Sequence, residues 1–210
     1  MNWFFNFITN IFTGFVGGEL VNTIDEAMRD NLSDDFLDAA LEVQQMTGIL
    51  EMFDGNLTVN QWELLMRETI HDVYISQYLL GIGGIDGMTP ADWGSLGGML
   101  RQQYRHLAGF SEDLRSGNLT LAQAQARANL YIESSTQAYE RAKIRAAGFP
   151  DLPQVPGDGN TQCLANCRCH WKLEETETEF MATWVLDSAA EHCDDCPNNA
   201  ARWNPLVISK

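Results

Sequence analysis

The C-terminal part of the sequence contains the stretch Cys163-Leu-Ala-Asn-Cys167-Arg-Cys169-His170-Trp171, and a second cysteine-rich stretch, His192-Cys193-Asp-Asp-Cys196, follows farther along the chain. Each stretch brings at least two thiols together within a few residues. Two such turns satisfy the tetrahedral coordination that zinc prefers. Between them, the segments that begin at Trp171 and Ala182 predict two short strands. We therefore expect residues 163–210 to form a small cysteine-rich β module that binds zinc.

Five thiols compete for four ligand positions in this module. The favoured ligand set takes one pair from each stretch: Cys163, Cys167, Cys193 and Cys196. Cys169 is the first substitute, because on a strand it would share a face with Cys167, and His170 and His192 are further candidates. All-thiolate coordination leaves no position for water, so the pattern predicts a structural zinc ion in a zinc-ribbon-like module.

Disulfides are the alternative use of these cysteines. All five lie between Cys163 and Cys196, and an odd number cannot be paired completely within one chain. No Lys or Arg precedes the apolar N-terminus, so no secretory signal is visible. In a reducing compartment, clustered cysteines hold metal more often than each other. Disulfides with one thiol left over, and reduced cysteines that only pack, stay open at this point.

A Pro/Gly stretch precedes the cysteines. Between Phe149 and Gly159 it carries three prolines, and no helix survives prolines at that spacing. We predict a linker at residues 149–162, which separates a helical body at residues 21–148 from the module.

The helical body shows clear helix starts. Gly-Asn-Leu-Thr occurs at residues 55–58 and again at 117–120, and in both places a Gln three residues after the Thr completes a capping box. We expect these helices to run to about Leu80 and Ala147. Thr89-Pro90 starts a further helix between them, with Thr as the N-cap and Pro at the first helical position. The fold class predicted for the chain is therefore mainly α.

The first 20 residues predict an amphipathic helix with an aromatic face, followed by a second helix from about Val21 to Phe53. The apolar positions are Trp3, Phe4, Phe7, Ile8, Ile11, Phe12, Phe15 and Val16. The segment is too short and too interrupted by polar residues for a membrane span. We expect its face to pack on the fold or on a neighbouring subunit, and so expect an oligomer. Membrane-surface contact through residues 3–16 is the alternative, although the polar face lacks Lys and Arg.

Charge and motifs bear on the class of function. The net charge of −16 argues against recognition of nucleic acid through a basic surface, sequence-specific recognition included. Glu68-Thr-Ile-His71 lacks the His-Glu-x-x-His pattern of zinc proteases, and no Gly-x-Ser-x-Gly elbow occurs. We predict that the protein is not an enzyme.

Three features resemble the minor head, or head-morphogenesis, proteins of tailed bacteriophages, the Mu F-like group. These features are the Ala/Arg-rich helix at residues 124–148, Asn166-Cys167-Arg-Cys169, and Cys193-Asp-Asp-Cys196. In that group the Cys-x-x-Cys pair usually precedes Asn-Cys-Arg-Cys, whereas here it follows. The resemblance covers about residues 118–200. It implies a minor capsid or head-assembly protein with capsid or portal subunits as partners, located in the virion and made in the host cytoplasm.

A second hypothesis comes from the cysteine pattern alone. A zinc-ribbon module appended to a helical body is also typical of a cellular adaptor that binds a protein partner.

Overall fold

The computed structural model describes residues 48–210. The helix predicted over residues 1–20, and the predicted second helix up to residue 47, lie outside this range. Residues 48–53 are helical, in agreement with the expected end of that second helix at Phe53.

The described chain is mainly helical and ends in a small sheet, which confirms the predicted fold class. The helices are α1 (Val59–Ile82), α2 (Pro90–Arg115), α3 (Leu121–Glu133), α4 (Thr136–Ala146) and α5 (Asp195–Arg202). The strands are β1 (His170–Glu175), β2 (Glu179–Val185) and β3 (Leu206–Ser209), and short 3-10 turns lie at Ile85–Gly87 and Leu164–Asn166.

The predicted helix starts are confirmed. Each of the three helices begins with a capping threonine: Thr58, Thr89 or Thr120. The threonine side chain accepts a hydrogen bond from the backbone N–H of the third residue after it. The side chain of that third residue accepts a hydrogen bond from the backbone N–H of the threonine. These reciprocal bonds satisfy donors that an uncapped helix leaves free. Pro90 occupies the first turn of α2, as its fixed φ angle favours.

The prediction of one helix from Leu121 to Ala147 is wrong, because the chain breaks at Ser134–Ser135 into α3 and α4. The buried hydroxyl of Tyr74 donates to the carbonyl oxygen of Ser134 at 3.0 Å and lies 2.8 Å from its Oγ. The Ser135 Oγ donates to the carbonyl of Ile132 at 2.6 Å. Serine side chains compete with the helical backbone for its own hydrogen bonds, and here a buried tyrosine supports the break.

The core of the body forms where α1 crosses its neighbours. Trp62 meets Phe110 edge to face, with ring centroids 5.0 Å apart, and Phe110 stacks on Tyr131 at 6.3 Å. Against α4, the backbone of α1 approaches so closely that a Cβ on Gly81 would lie 2.4 Å from the Tyr139 carbonyl oxygen. The two helices therefore pack through a position that only glycine fits.

The C-terminal sheet is antiparallel, with the order β1-β2-β3. Strands β1 and β2 match the two predicted strands, and β3 was not predicted. Trp171 and Trp184 are cross-strand partners, and Trp203 packs against both of them. These three tryptophans form the centre of a second core, separate from that of the body.

The Pro/Gly stretch contributes to this second core. Phe149 and Val155 are buried there, and the carbonyl of Gln154 accepts a hydrogen bond from the Trp171 indole at 2.9 Å. The predicted linker thus packs on the module. Across residues 48–210, no helix combines the length and the apolarity that a bilayer span requires.

Candidate metal centre

The structure brings all five cysteines together at one end of the sheet. Cys163, Cys167 and Cys169 lie in the turn that leads into β1, and Cys193 and Cys196 lie at the start of α5. All five are free thiols; their exposure falls into two classes, with Cys163 and Cys193 partly exposed and Cys167, Cys169 and Cys196 buried. The turn and the helix are distant in sequence, so the cluster is the place where the two ends of the module meet.

Cys196 lies at the centre of the cluster. Its Sγ is 3.6 Å from the Sγ of Cys163, 3.6 Å from that of Cys193 and 3.8 Å from that of Cys167. Two thiolates that each bind a tetrahedral zinc ion at 2.3 Å are about 3.8 Å apart. Each of these separations is therefore one that two ligands of the same ion would have, and all three are much longer than a disulfide bond.

The sulfur atoms fall into two triads that share Cys196. In the first, the sulfurs of Cys163, Cys193 and Cys196 lie within 4.8 Å of one another, and in the second those of Cys167, Cys169 and Cys196 do. The predicted first substitute, Cys169, thus belongs to the cluster as fully as the favoured four.

Neighbouring thiols perturb one another strongly. A hydrogen bond from Cys169 lowers the pKa of Cys167 to about 5, and the same bond raises the pKa of Cys169. Burial raises the pKa of Cys196 and of Cys163. Burial also opposes ionisation of Cys193, but hydrogen bonds from Cys163 and from the backbone outweigh it and lower its pKa. The protein alone therefore favours the thiolate form at only some of these cysteines.

A histidine adjoins the second triad. The Nδ1 of His192 lies 3.9 Å from the Sγ of Cys169, and its Nε2 lies 2.8 Å from the carbonyl oxygen of Asp187. The carbonyl accepts a hydrogen bond, so Nε2 carries the proton and the lone pair of Nδ1 faces the cysteines. His170, the other candidate, is exposed at the start of β1.

Two features near the cluster were not predicted. The backbone N–H of Gly157 donates to the thiol of Cys167, which favours its ionised form. Asp195 accepts a hydrogen bond from the backbone of Gln162 at 2.8 Å and so ties α5 to the turn before β1. The sequence offered a signal only for the second, an acidic residue in the first turn of a helix.

The described part of the chain therefore holds cysteine groups at metal-binding distance, and the donor set suits a soft divalent ion. No family model matches the chain, and neither does any curated protein or solved structure.

Proposed function

We propose that the protein is a structural or assembly component of a tailed-phage head, and that a structural zinc ion stabilises its C-terminal module. The observation that carries the proposal is the position of Cys196, with three other sulfurs at 3.6–3.8 Å. The phage assignment rests on the resemblance of Asn166-Cys167-Arg-Cys169 and Cys193-Asp-Asp-Cys196 to the Mu F-like group.

Zinc fits the donor set because thiolates are soft ligands and zinc accepts four of them in a tetrahedron. The candidate ligands are Cys163, Cys167, Cys169, Cys193 and Cys196, because each of these sulfurs belongs to a group within 4.8 Å. Burial of Cys167 and Cys196 excludes water from one side of the site. An ion held by four thiolates has no open position for a substrate, and this supports a structural role and a protein that is not an enzyme.

A metal would strengthen a junction that the hydrogen bond between Gln162 and Asp195 already makes. The turn before β1 and helix α5 meet at the sulfur atoms, while α5 is only eight residues long. Modules of this size rarely bury enough apolar surface to fold alone, and metal binding supplies the missing free energy.

The surface supports a role in assembly. Several large apolar side chains are exposed on the described residues: Leu50, Phe53, Leu64, Leu65, Trp93, Leu130, Leu164 and Val207. Exposed apolar residues on an acidic protein suit docking to other subunits better than binding to a nucleic-acid backbone. We infer that capsid or portal subunits are the partners and that the protein acts as part of an oligomer or larger assembly.

The test is incorporation into particles. Phage particles assembled with a tagged copy of the chain should retain it through gradient purification, and cross-linking should join it to capsid or portal protein. A Cys196→Ser variant should be incorporated poorly, whereas the exposed Asp194→Asn control should behave as the native chain. If the protein stays in the host cytosol and never enters particles, the adaptor hypothesis replaces the phage-head proposal.

A further inference from the structure

We infer that the cysteine cluster holds two metal ions that share Cys196 as a bridging ligand. The first ion is bound by Cys163, Cys193 and Cys196, and the second by Cys167, Cys169 and Cys196. This inference rests on the proposed metal site and deepens it.

The first argument is the grouping of the sulfur atoms. Four ligands of one tetrahedral ion form a single set in which every pair is about 3.8 Å apart. Here the five sulfurs instead form two triads, each within 4.8 Å, with Cys196 common to both. One thiolate can bridge two ions because its sulfur carries more than one lone pair.

The second argument is the use of donors and charge. A single ion held by four thiolates leaves one of the five thiols unused, whereas two ions with a shared Cys196 use all five cysteines. Two divalent ions also nearly neutralise five thiolates, which reduces the electrostatic cost of crowding them in a partly buried site.

The two ions would differ in their surroundings. The second is held by three buried thiols, Cys167, Cys169 and Cys196. The first shares Cys196 with it, but its other two ligands, Cys163 and Cys193, are partly exposed.

The experiment is a metal count on the full-length native protein. The reduced protein is saturated with zinc, passed through a desalting column, and analysed for zinc per chain by mass spectrometry. Two ions per chain are expected. One ion per chain overturns this inference and leaves the proposed structural zinc intact, and no retained metal overturns both.

A cysteine variant and a histidine control provide the matched comparison. Cys169→Ser should lower the zinc content from two ions to one, whereas His170→Ala, which removes an exposed imidazole next to Cys169, should keep two. Cobalt gives a second measurement, since two Co²⁺ ions bridged by one thiolate are magnetically coupled. The paramagnetic resonance signal should therefore grow up to one equivalent and fall with the second. A signal that rises steadily through two equivalents contradicts the bridge.

Discussion

The helical body and the C-terminal module are stabilised in different ways. The core of the body is drawn from residues 48–53 and helices α1–α4, and it consists of aliphatic and aromatic side chains. The core of the module is smaller, and its buried residues include three cysteines and three tryptophans. The body can hold its helices together by burial of apolar surface, whereas the module joins its ends through sulfur atoms. One chain thus combines a core of apolar side chains with a smaller core that is built partly from thiols.

Metal removal should produce the largest effect and should separate the two regions. If the proposed zinc ion is removed, the turn before β1 and α5 lose their connection through the metal, and the module should unfold, because a structural zinc ion contributes on the order of 10 kcal/mol. The fluorescence of Trp171, Trp184 and Trp203 should shift to longer wavelength after treatment with a strong chelator, while the helical circular-dichroism signal persists. Added zinc should reverse the change. Unaltered tryptophan emission would show that the module holds itself together without metal.

Much of the body could be predicted from sequence because helix starts are local. Each capping Thr and its partner lie three residues apart, so the Thr58 and Thr120 caps follow from the sequence alone. The break at Ser134 depends on Tyr74, which is 60 residues away, and therefore no local pattern identifies it.

In the module, the cysteine stretches were predictable and their relative positions were not. The sequence predicted that the five thiols are candidate metal ligands, and it predicted strands β1 and β2. It did not predict β3 at Leu206–Ser209, nor the packing of Trp203 on the other tryptophans, since both depend on pairing across the sheet. The central role of Cys196 is likewise a property of the folded chain, because spacing treats the four favoured cysteines alike.

Within the body, Gly81→Ala should have the largest effect of a single substitution. The new Cβ would lie 2.4 Å from the Tyr139 carbonyl oxygen and 2.8 Å from the Cβ of Ala142, so α1 and α4 would have to separate. We expect a loss of about 3 kcal/mol in the free energy of unfolding, measured by urea denaturation. Gly94→Ala, at a helical position with open space, should be neutral or slightly stabilising. Equal stabilities of the two variants would disprove the close packing.

Glu140 tests how the two regions are coupled. Its buried carboxylate accepts a hydrogen bond from the backbone N–H of Trp171 at 3.1 Å and so joins α4 to β1. Glu140→Ala should leave that N–H without a partner and cost about 2 kcal/mol.

The matched control for Glu140 is another contact between the same regions. Glu133 and Arg168 form an ion pair at 3.1 Å on the surface, where Arg168 is largely exposed. Glu133→Ala should therefore cost less than about 1 kcal/mol. In thermal unfolding followed by far-UV and tryptophan signals, Glu140→Ala should separate the transitions of body and module, and Glu133→Ala should not. If the two transitions separate equally in both variants, the buried hydrogen bond of Glu140 contributes no more to the coupling of the two regions than the surface ion pair does.

Acid should reveal a further contribution to the stability of the body, at the buried carboxylate of Asp92. Burial raises the pKa of Asp92, but hydrogen bonds from Thr89, Tyr78 and Arg145 outweigh it and lower the pKa to about 2. The unfolded chain binds the proton more readily, near pH 3.9. The stabilisation is therefore complete above about pH 4 and is lost as the pH falls toward 2, with a total of about 2 kcal/mol.

The Asp92→Asn variant provides the comparison for the acid prediction. It should be less stable than the native protein at neutral pH. The difference in stability between the two proteins should narrow between pH 4 and pH 2, because protonation of Asp92 removes the negative charge that asparagine also lacks. Asp86→Asn, on the short turn before α2, serves as the control for loss of an exposed carboxylate. The measurement is the urea midpoint of the helical signal across this pH range. A gap that stays constant down to pH 2 would show that the charge of Asp92 does not stabilise the body, and its hydrogen bonds to Tyr78 and Thr89 would then act equally well in the neutral form.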